Sequence, residues 1–161
     1  MNRALSRQSG FTLIEMMIAL LILAIGLLGF AGLQTQGIVM GRKAFLHSQA
    51  EMLAEDIVER IRANKAKGDF SVTLGYAMAA TDVGQDNHCD SNACTPAQMT
   101  QWDQYRWQRR VGGSLPAGQG DVDVSVGSNP YATVTVTVHY NLDSDKKDAD
   151  AYQYKLTTKI Y

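Results

Sequence analysis

The sequence is poor in the side chains that most enzymes and nucleic-acid-binding proteins use. It has only three histidines, scattered at His47, His88 and His139, and two cysteines. The hydrolase patterns GxSxG and HExxH are absent from it. Its 15 basic residues nearly balance 16 acidic residues, which gives a formal net charge of -1. The composition therefore indicates no intrinsic catalysis and no broad electrostatic footprint for nucleic acid.

Long apolar runs are scarce as well, since only one segment is long enough to span a membrane. Residues 11–33 contain a single charged side chain, Glu15, and would extend about 34 Å as a helix, which matches a bilayer core of about 30 Å. A carboxylate inside such a helix is costly unless it is neutralised, so Glu15 is a candidate functional residue that needs a counter-charge. Arg3 and Arg7 precede the run and predict a cytoplasmic N-terminus.

Two other interpretations of the apolar run compete with a functional membrane helix. A plain signal anchor would have the same length. A secretory signal peptide could be cut after Ala31, with Gly29 two residues before it. The signal peptide is disfavoured because its apolar region usually has about 7 to 15 residues and would not carry Glu15.

The residues around Glu15 form a more specific pattern. Residues 10–15 read GFTLIE directly after the basic leader MNRALSRQSG, and this arrangement resembles the signal of type IV pilins. The resemblance implies that a prepilin peptidase cuts between Gly10 and Phe11 and methylates the new N-terminus, so that Phe11 becomes N-methylphenylalanine. It implies no cofactor. Loss of the leader would leave 13 basic against 16 acidic residues, a formal net charge of -3.

Cleavage would also supply the counter-charge that Glu15 needs. The new ammonium lies four residues before Glu15 and stays charged after a single methylation. The resemblance implies that the decisive pairing is between subunits, with Glu15 of an incoming subunit meeting the amine of Phe11 in a neighbour. Such a contact would favour one axial register in a filament.

The segment after the membrane run predicts a continuing, amphipathic helix. Its apolar stripe has spacings of four, three, four and four. The residues of this stripe are Leu46, Ala50, Leu53, Ile57 and Ile61. We expect the helix to run to Lys67 and to stop at Gly68. The predicted organisation is a cleaved leader over 1–10, a membrane or filament-core half of the helix over 11–35, an amphipathic half over 36–67 and an exported domain over 68–161.

Five glycines interrupt the first part of this helix and leave two interpretations open. They either mark a weak stretch that packs tightly, bends or melts during assembly, or reflect the ordinary tolerance of glycine in lipid. They are Gly26, Gly29, Gly32, Gly37 and Gly41.

The only two cysteines follow in a segment, 69–94, that has no sustained periodicity and predicts a connecting loop. Cys89 and Cys94 lie on the exported side, where oxidation is permitted, and predict a disulfide. A metal site formed with His88 is the alternative, but it lacks a fourth ligand and matches no zinc spacing.

A second helix is predicted over about 96–111. Thr95 is its cap, Pro96 takes the first helical position, and Gln98 completes a capping box. We expect Gly112 and Gly113 to end it. The apolar face of this segment carries Trp102 and Tyr105. Trp107 is expected on another face, close in sequence to Arg106, Arg109 and Arg110. These aromatic and arginine side chains could stack on a base or a sugar, but packing is the favoured interpretation.

The last part of the chain, about 121–161, predicts an antiparallel sheet. Three runs alternate apolar and polar residues, at 122–126, 132–140 and 152–160. One face should pack on the stripe from Leu46 to Ile61. The turn between the last two runs holds Asp143, Asp145, Asp148 and Asp150, a weak calcium candidate that is interrupted by lysines and is better interpreted as a solvated hairpin tip.

Within the pilin superfamily the chain most resembles the PilV-type minor pilins, the type IV pilus modification proteins. The resemblance is carried by AIGLLGFAGLQ at 24–34, CTPAQM at 94–99, WQRR at 107–110 and LPAGQGDV at 115–122. It implies an α+β pilin fold, with a long N-terminal helix packed on a C-terminal antiparallel sheet, in a structural subunit that primes pilus assembly. The implied partners are the prepilin peptidase, other minor pilins, the major pilin and, before assembly, the inner membrane; a tip adhesin is left open and nucleic acid is not expected.

Two other functions remain as alternatives. A minor pseudopilin of type II secretion would share the fold, the processing and Glu15. A membrane-anchored periplasmic enzyme or binding protein would also have one N-terminal span, but the chain lacks a catalytic constellation for it.

Overall fold

The computed structural model describes residues 10, 12–65, 70–127, 130–142 and 152–161. The chain divides into two compact units, Met1–Gly41 and Arg42–Tyr161. Its helices are α1 (Leu13–Asn64), α2 (Ser71–Leu74) and α3 (Pro96–Ser114). Its strands are β1 (Gln119–Val126), β2 (Ala132–Tyr140) and β3 (Tyr152–Ile160). The predicted α+β fold, a long N-terminal helix on a three-stranded antiparallel sheet, is confirmed.

The sheet has the order β1-β2-β3, and both pairings are antiparallel. Val136 of the central strand lies between Val122 and Leu156 in this register. The inward valines of β2 are fully buried, whereas the threonines at alternate positions face the other side. The predicted stripe of α1 is buried against this face in one core, together with Ala54 and Val58.

The end of α1 differs from the prediction. The helix ends at Asn64 rather than Lys67, and Gly68, the predicted stop, lies outside the described residues. The amide of Asn64 donates hydrogen bonds to Tyr76 Oη at 3.0 Å, to Pro96 O at 2.9 Å and to Thr100 Oγ1 at 3.2 Å. Tertiary contacts of one side chain therefore fix the last turn.

The predicted end of the second helix is wrong as well. The capping box of Thr95 and Gln98 is present, but α3 continues through Gly112 and Gly113 to Ser114. Two helical glycines cost about 2 kcal/mol relative to alanine. Burial of Val111 and Leu115 offsets this cost, because both side chains are almost completely buried in the core.

Trp107 also corrects the prediction that it lies away from the packed face of this helix. Its side chain is 0% exposed, and its indole Nε1 donates to Leu53 O on α1 at 2.7 Å. A Cβ placed on Gly120 would lie 2.3 Å from this ring, so β1 approaches the indole as closely as glycine permits. Trp107 therefore joins α1, α3 and β1.

The connection between α1 and α3 contains more structure than its sequence predicts. Beside the short helix α2, Met78 exchanges two backbone hydrogen bonds with Val122, of 2.9 and 3.0 Å. This isolated bridge covers part of the outer edge of β1.

Candidate assembly site

The predicted recruitment carboxylate, Glu15, lies in the first turn of α1. Its backbone N–H donates to Thr12 Oγ1 at 3.4 Å, and the carbonyl of Thr12 accepts from Met16 at 3.3 Å. Gly10, the residue before the predicted cut, is exposed and outside the helix. The predicted scissile bond therefore lies just before the first helical turn.

The surface around Glu15 is apolar and uncovered. Every described residue from 12 to 45 is exposed, and the large apolar side chains from Leu13 to Met40 keep between 54% and 79% of their surface accessible. Among the described residues, α1 is the one helix long and apolar enough to cross a membrane, with a mean hydropathy of 2.6 in its most apolar window. An exposed apolar surface of this extent marks contact with lipid or with other proteins.

The described part of the chain offers Glu15 no counter-charge of its own. No basic side chain there forms an ion pair with it, and the first basic residue after it in the sequence is Arg42. Phe11, whose amine is the predicted partner, lies outside the described residues. The role of Glu15 in subunit recruitment stays a prediction.

The predicted disulfide is present between Cys89 and Cys94. It closes a small loop. His88, just before this loop, adopts a positive φ of 48°, and its carbonyl accepts the N–H groups of Ser91 and Asn92, each at 3.1 Å. Asn87 ties this loop to α3, because its amide donates to Gln98 O at 3.0 Å. The cross-link therefore anchors the connection at the start of α3.

The arginines of α3 contact side chains of the protein itself. Arg106 lies over the ring of Trp102 and Arg109 over that of Tyr105, at 5.4 and 5.6 Å from the ring centroids. Arg110 pairs with Asp56 on α1 at 2.9 Å. These contacts support the interpretation of the segment as packing.

A buried polar network, which the sequence did not reveal, joins α1, α3 and the segment after α2. Asp103, whose side chain is 7% exposed, accepts from Arg60 Nη1 at 2.9 Å and from Tyr76 Oη at 2.6 Å. Burial and the contact with Asp103 raise the pKa of Tyr76. Burial alone would lower the pKa of Arg60, but the hydrogen bonds and charges of Asp56 and Asp103 raise it overall. The network keeps the guanidinium charged and the phenol protonated.

No cluster of three or more metal-ligating side chains occurs among the described residues. His139 contacts Asp121 at 2.7 Å, His47 contacts Tyr140 Oη at 3.2 Å and His88 contacts Asp86 at 3.3 Å, so the three histidines make separate contacts. The calcium candidate of four aspartates between β2 and β3 lies outside the described residues.

Comparison with protein families gives two adjacent matches. Residues 5–31 match the prokaryotic N-terminal methylation motif. Residues 32–105 match the family described as type IV pilin Tt1218. No curated protein and no solved structure gives a match.

The two matches agree with the geometry described above. The methylation motif covers Gly10, Glu15 and α1 as far as Ala31, and the pilin match extends from Gly32 through the disulfide loop into α3. The chain is thus similar to a type IV pilin family over residues 32–105, and its α+β fold is the one that the resemblance implies.

Proposed function

We propose that this chain is a minor pilin, a low-abundance subunit that joins other minor pilins in a complex that primes assembly of a type IV pilus. The observation that carries the proposal is the position of Glu15 in the first turn of an exposed apolar helix, five residues after Gly10 and within the matched methylation motif. The short runs shared with PilV-type minor pilins support the narrower assignment.

Assembly would proceed through the charge on Glu15. A carboxylate at membrane depth costs about 3 kcal/mol or more. Cleavage between Gly10 and Phe11 creates an ammonium at the N-terminus of each neighbouring subunit. The attraction between this ammonium and the carboxylate of Glu15 is strong where water is excluded. An incoming subunit is then most stable where its Glu15 meets that ammonium, which selects one axial position.

The proposed topology follows from the same segment. Arg3 and Arg7 would hold the leader in the cytoplasm, where the prepilin peptidase cuts, and the unit Arg42–Tyr161 would be exported to the periplasm. The disulfide of Cys89 and Cys94 fits an oxidising compartment. Partners at that stage are the inner membrane, the other minor pilins and the major pilin.

The charge proposal is tested by three variants expressed in the native host with the chromosomal copy deleted. Glu15→Ala should be cleaved normally, as seen by the mobility shift of the processed chain, but should be depleted from sheared pili at least tenfold. Glu15→Asp keeps the charge and should be incorporated better than Glu15→Ala. Replacement of Gly10 by leucine should block cleavage. Normal incorporation of Glu15→Ala would overturn the proposed pairing.

Assignment to a pilus rather than to a secretion apparatus needs a separate experiment. Deletion of the gene should reduce surface pili and leave type II protein secretion unchanged, and the unaltered gene supplied in trans should restore the pili. Loss of secretion with normal pili would instead identify a minor pseudopilin.

A further inference from the structure

The outer edge of β3 is open. Within the described ranges, β3 pairs only with β2, and no backbone group outside these two strands forms a hydrogen bond with the backbone of residues 152–160. The outer edge of β1, by contrast, is partly covered by the bridge between Met78 and Val122. Because an edge strand directs every second N–H and C=O outward, β3 presents a row of donors and acceptors to a further strand.

A groove of about 290 Å³ lies between this edge and α1, and we call it the α1–β3 groove. It is lined by six residues, Glu55, Val58, Glu59, Arg62, Leu156 and Thr158. Val58 and the half-buried Leu156 give it apolar surface, and both glutamates are exposed. Leu156 and Thr158 lie on the face of β3 that is directed to α1, so a strand added beside β3 would place alternate side chains in this groove.

The charges in the groove are unevenly compensated. Arg62 forms an ion pair with Glu59 and donates to Thr158 Oγ1 at 3.0 Å. Glu55 forms no ion pair with any side chain of the described residues. Glu51, one turn earlier, accepts a long hydrogen bond from Tyr154 at 3.5 Å. The carboxylate of Glu55, which lines the groove, is therefore left for an outside cation.

We propose that the edge of β3 and the α1–β3 groove bind an extended segment of a partner polypeptide as a fourth strand, with a lysine or arginine against Glu55 between two apolar side chains. Strand addition of this kind takes its affinity from main-chain hydrogen bonds and its specificity from alternate side chains. The outward side chains of the partner should not be basic, because Lys155 and Lys159 occupy the outer face of β3. The inference concerns the unit Arg42–Tyr161 and goes beyond the proposed function, since it does not involve cleavage or Glu15.

The probe is a capped, fluorescein-labelled peptide of sequence TVTKTVT, titrated with the full chain in non-ionic detergent micelles and followed by fluorescence anisotropy. We expect saturable binding that weakens with added salt. Replacing its lysine by glutamate, in TVTETVT, should weaken binding by about tenfold or more, because like charges then meet at Glu55.

Charge reversal on the protein provides the matched test. Glu55→Lys should weaken the binding of TVTKTVT by about tenfold and restore the binding of TVTETVT. Asp123→Lys makes the same change of charge at an exposed position of β1 and should leave both affinities unchanged. Equal effects of Glu55→Lys and Asp123→Lys would overturn the proposal.

Backbone methylation of the peptide tests strand addition on the unaltered chain, where no variant can misfold. Two versions of TVTKTVT carry N-methyl groups on alternate amides, in opposite phases. Only the phase whose amides face β3 should lose binding; equal binding of both versions would refute a strand geometry. If no peptide binds and sedimentation shows dimers that Glu55→Lys dissociates, the occupant is a second copy of this chain and the proposal is wrong. None of these outcomes alters the result expected for Glu15→Ala.

Discussion

Substitution of Asp103 by alanine removes the central acceptor of the buried polar network. The carboxylate receives Tyr76 Oη at 2.6 Å and Arg60 Nη1 at 2.9 Å, and its side chain is 7% exposed. In the variant, the buried tyrosine hydroxyl keeps its contacts with Asn64 and Thr100 but loses the carboxylate that accepts its proton.

The expected loss of stability follows from these two contacts. A hydrogen bond to a charged group contributes about 1.5–3 kcal/mol, and Asp103 accepts one from Tyr76 and one from Arg60. Arg60 keeps a second carboxylate partner, Asp56, at 3.1 Å. The loss of its bond to Asp103 should therefore cost an energy near the lower end of that range. We therefore expect Asp103→Ala to lower the free energy of unfolding by about 3–4 kcal/mol.

Urea unfolding of the full chain in detergent, followed by tryptophan fluorescence, measures this loss. Both tryptophans lie on α3 and are buried, so their emission reports on the packing of that helix. Asp123→Ala removes an exposed aspartate and should change stability by less than about 0.5 kcal/mol. A double-mutant cycle with Tyr76→Phe should give a coupling of about 1 kcal/mol or more. A loss below about 1 kcal/mol for Asp103→Ala would refute the assigned role of the network.

Three further predictions concern the same unit. Burial and the neighbouring carboxylate raise the pKa of Tyr76, so as the pH rises the phenol loses its proton in the unfolded chain before it does in the folded chain. The free energy of unfolding should therefore fall by about 1.4 kcal/mol per pH unit above about pH 10. Tyr76→Phe should remove this contribution to the pH dependence of the urea midpoint. Gly120→Ala should cost about 1–3 kcal/mol and shift tryptophan emission, because the new methyl group would meet the ring of Trp107 at 2.3 Å. Replacing both Cys89 and Cys94 by serine should lower stability by about 2 kcal/mol in the same assay, the value for so short a loop.

The strands and the second half of α1 could be predicted because their burial follows the local period. In β2 the valines at 134, 136 and 138 alternate with threonines, and all three valines are fully buried. In α1 the stripe from Leu46 to Ile61 repeats every three or four residues, and it is buried on the inner face of the sheet. When apolar residues recur on one face at the period of the helix or strand, the sequence alone predicts which face is buried.

The burial of α3 could not be predicted in the same way, because polar residues share its packed face. Asp103 and Gln104 are buried there, and their partners lie on other elements: Arg60 on α1 and the carbonyl of Gly75 after α2. A polar side chain is stable inside only when such partners exist, and the sequence does not show them. The same pattern concealed Trp107, although its spacing of four from Val111 was a usable signal.

The candidate assembly site could be predicted from the sequence because it does not depend on contacts between distant residues. The motif that ends at Glu15 is contiguous, so no tertiary contact is needed to see it. In the proposed assembly its counter-charge lies on a neighbouring subunit. The sequence therefore identifies Glu15 as a residue in need of a counter-charge, and its pairing with another subunit stays a prediction.

The glycines of α1 carry this reasoning one step further. Apart from its chain neighbours and the nearby backbone of the helix itself, a Cβ added at any of the five positions from Gly26 to Gly41 would meet no atom of the described residues within 4 Å. Each glycine nevertheless weakens the helix by about 1 kcal/mol relative to alanine in water. No packing contact among the described residues therefore requires glycine at these positions. In the assembly we propose, the close approach of a neighbouring helix would favour glycine, because small residues let two helix backbones come close together.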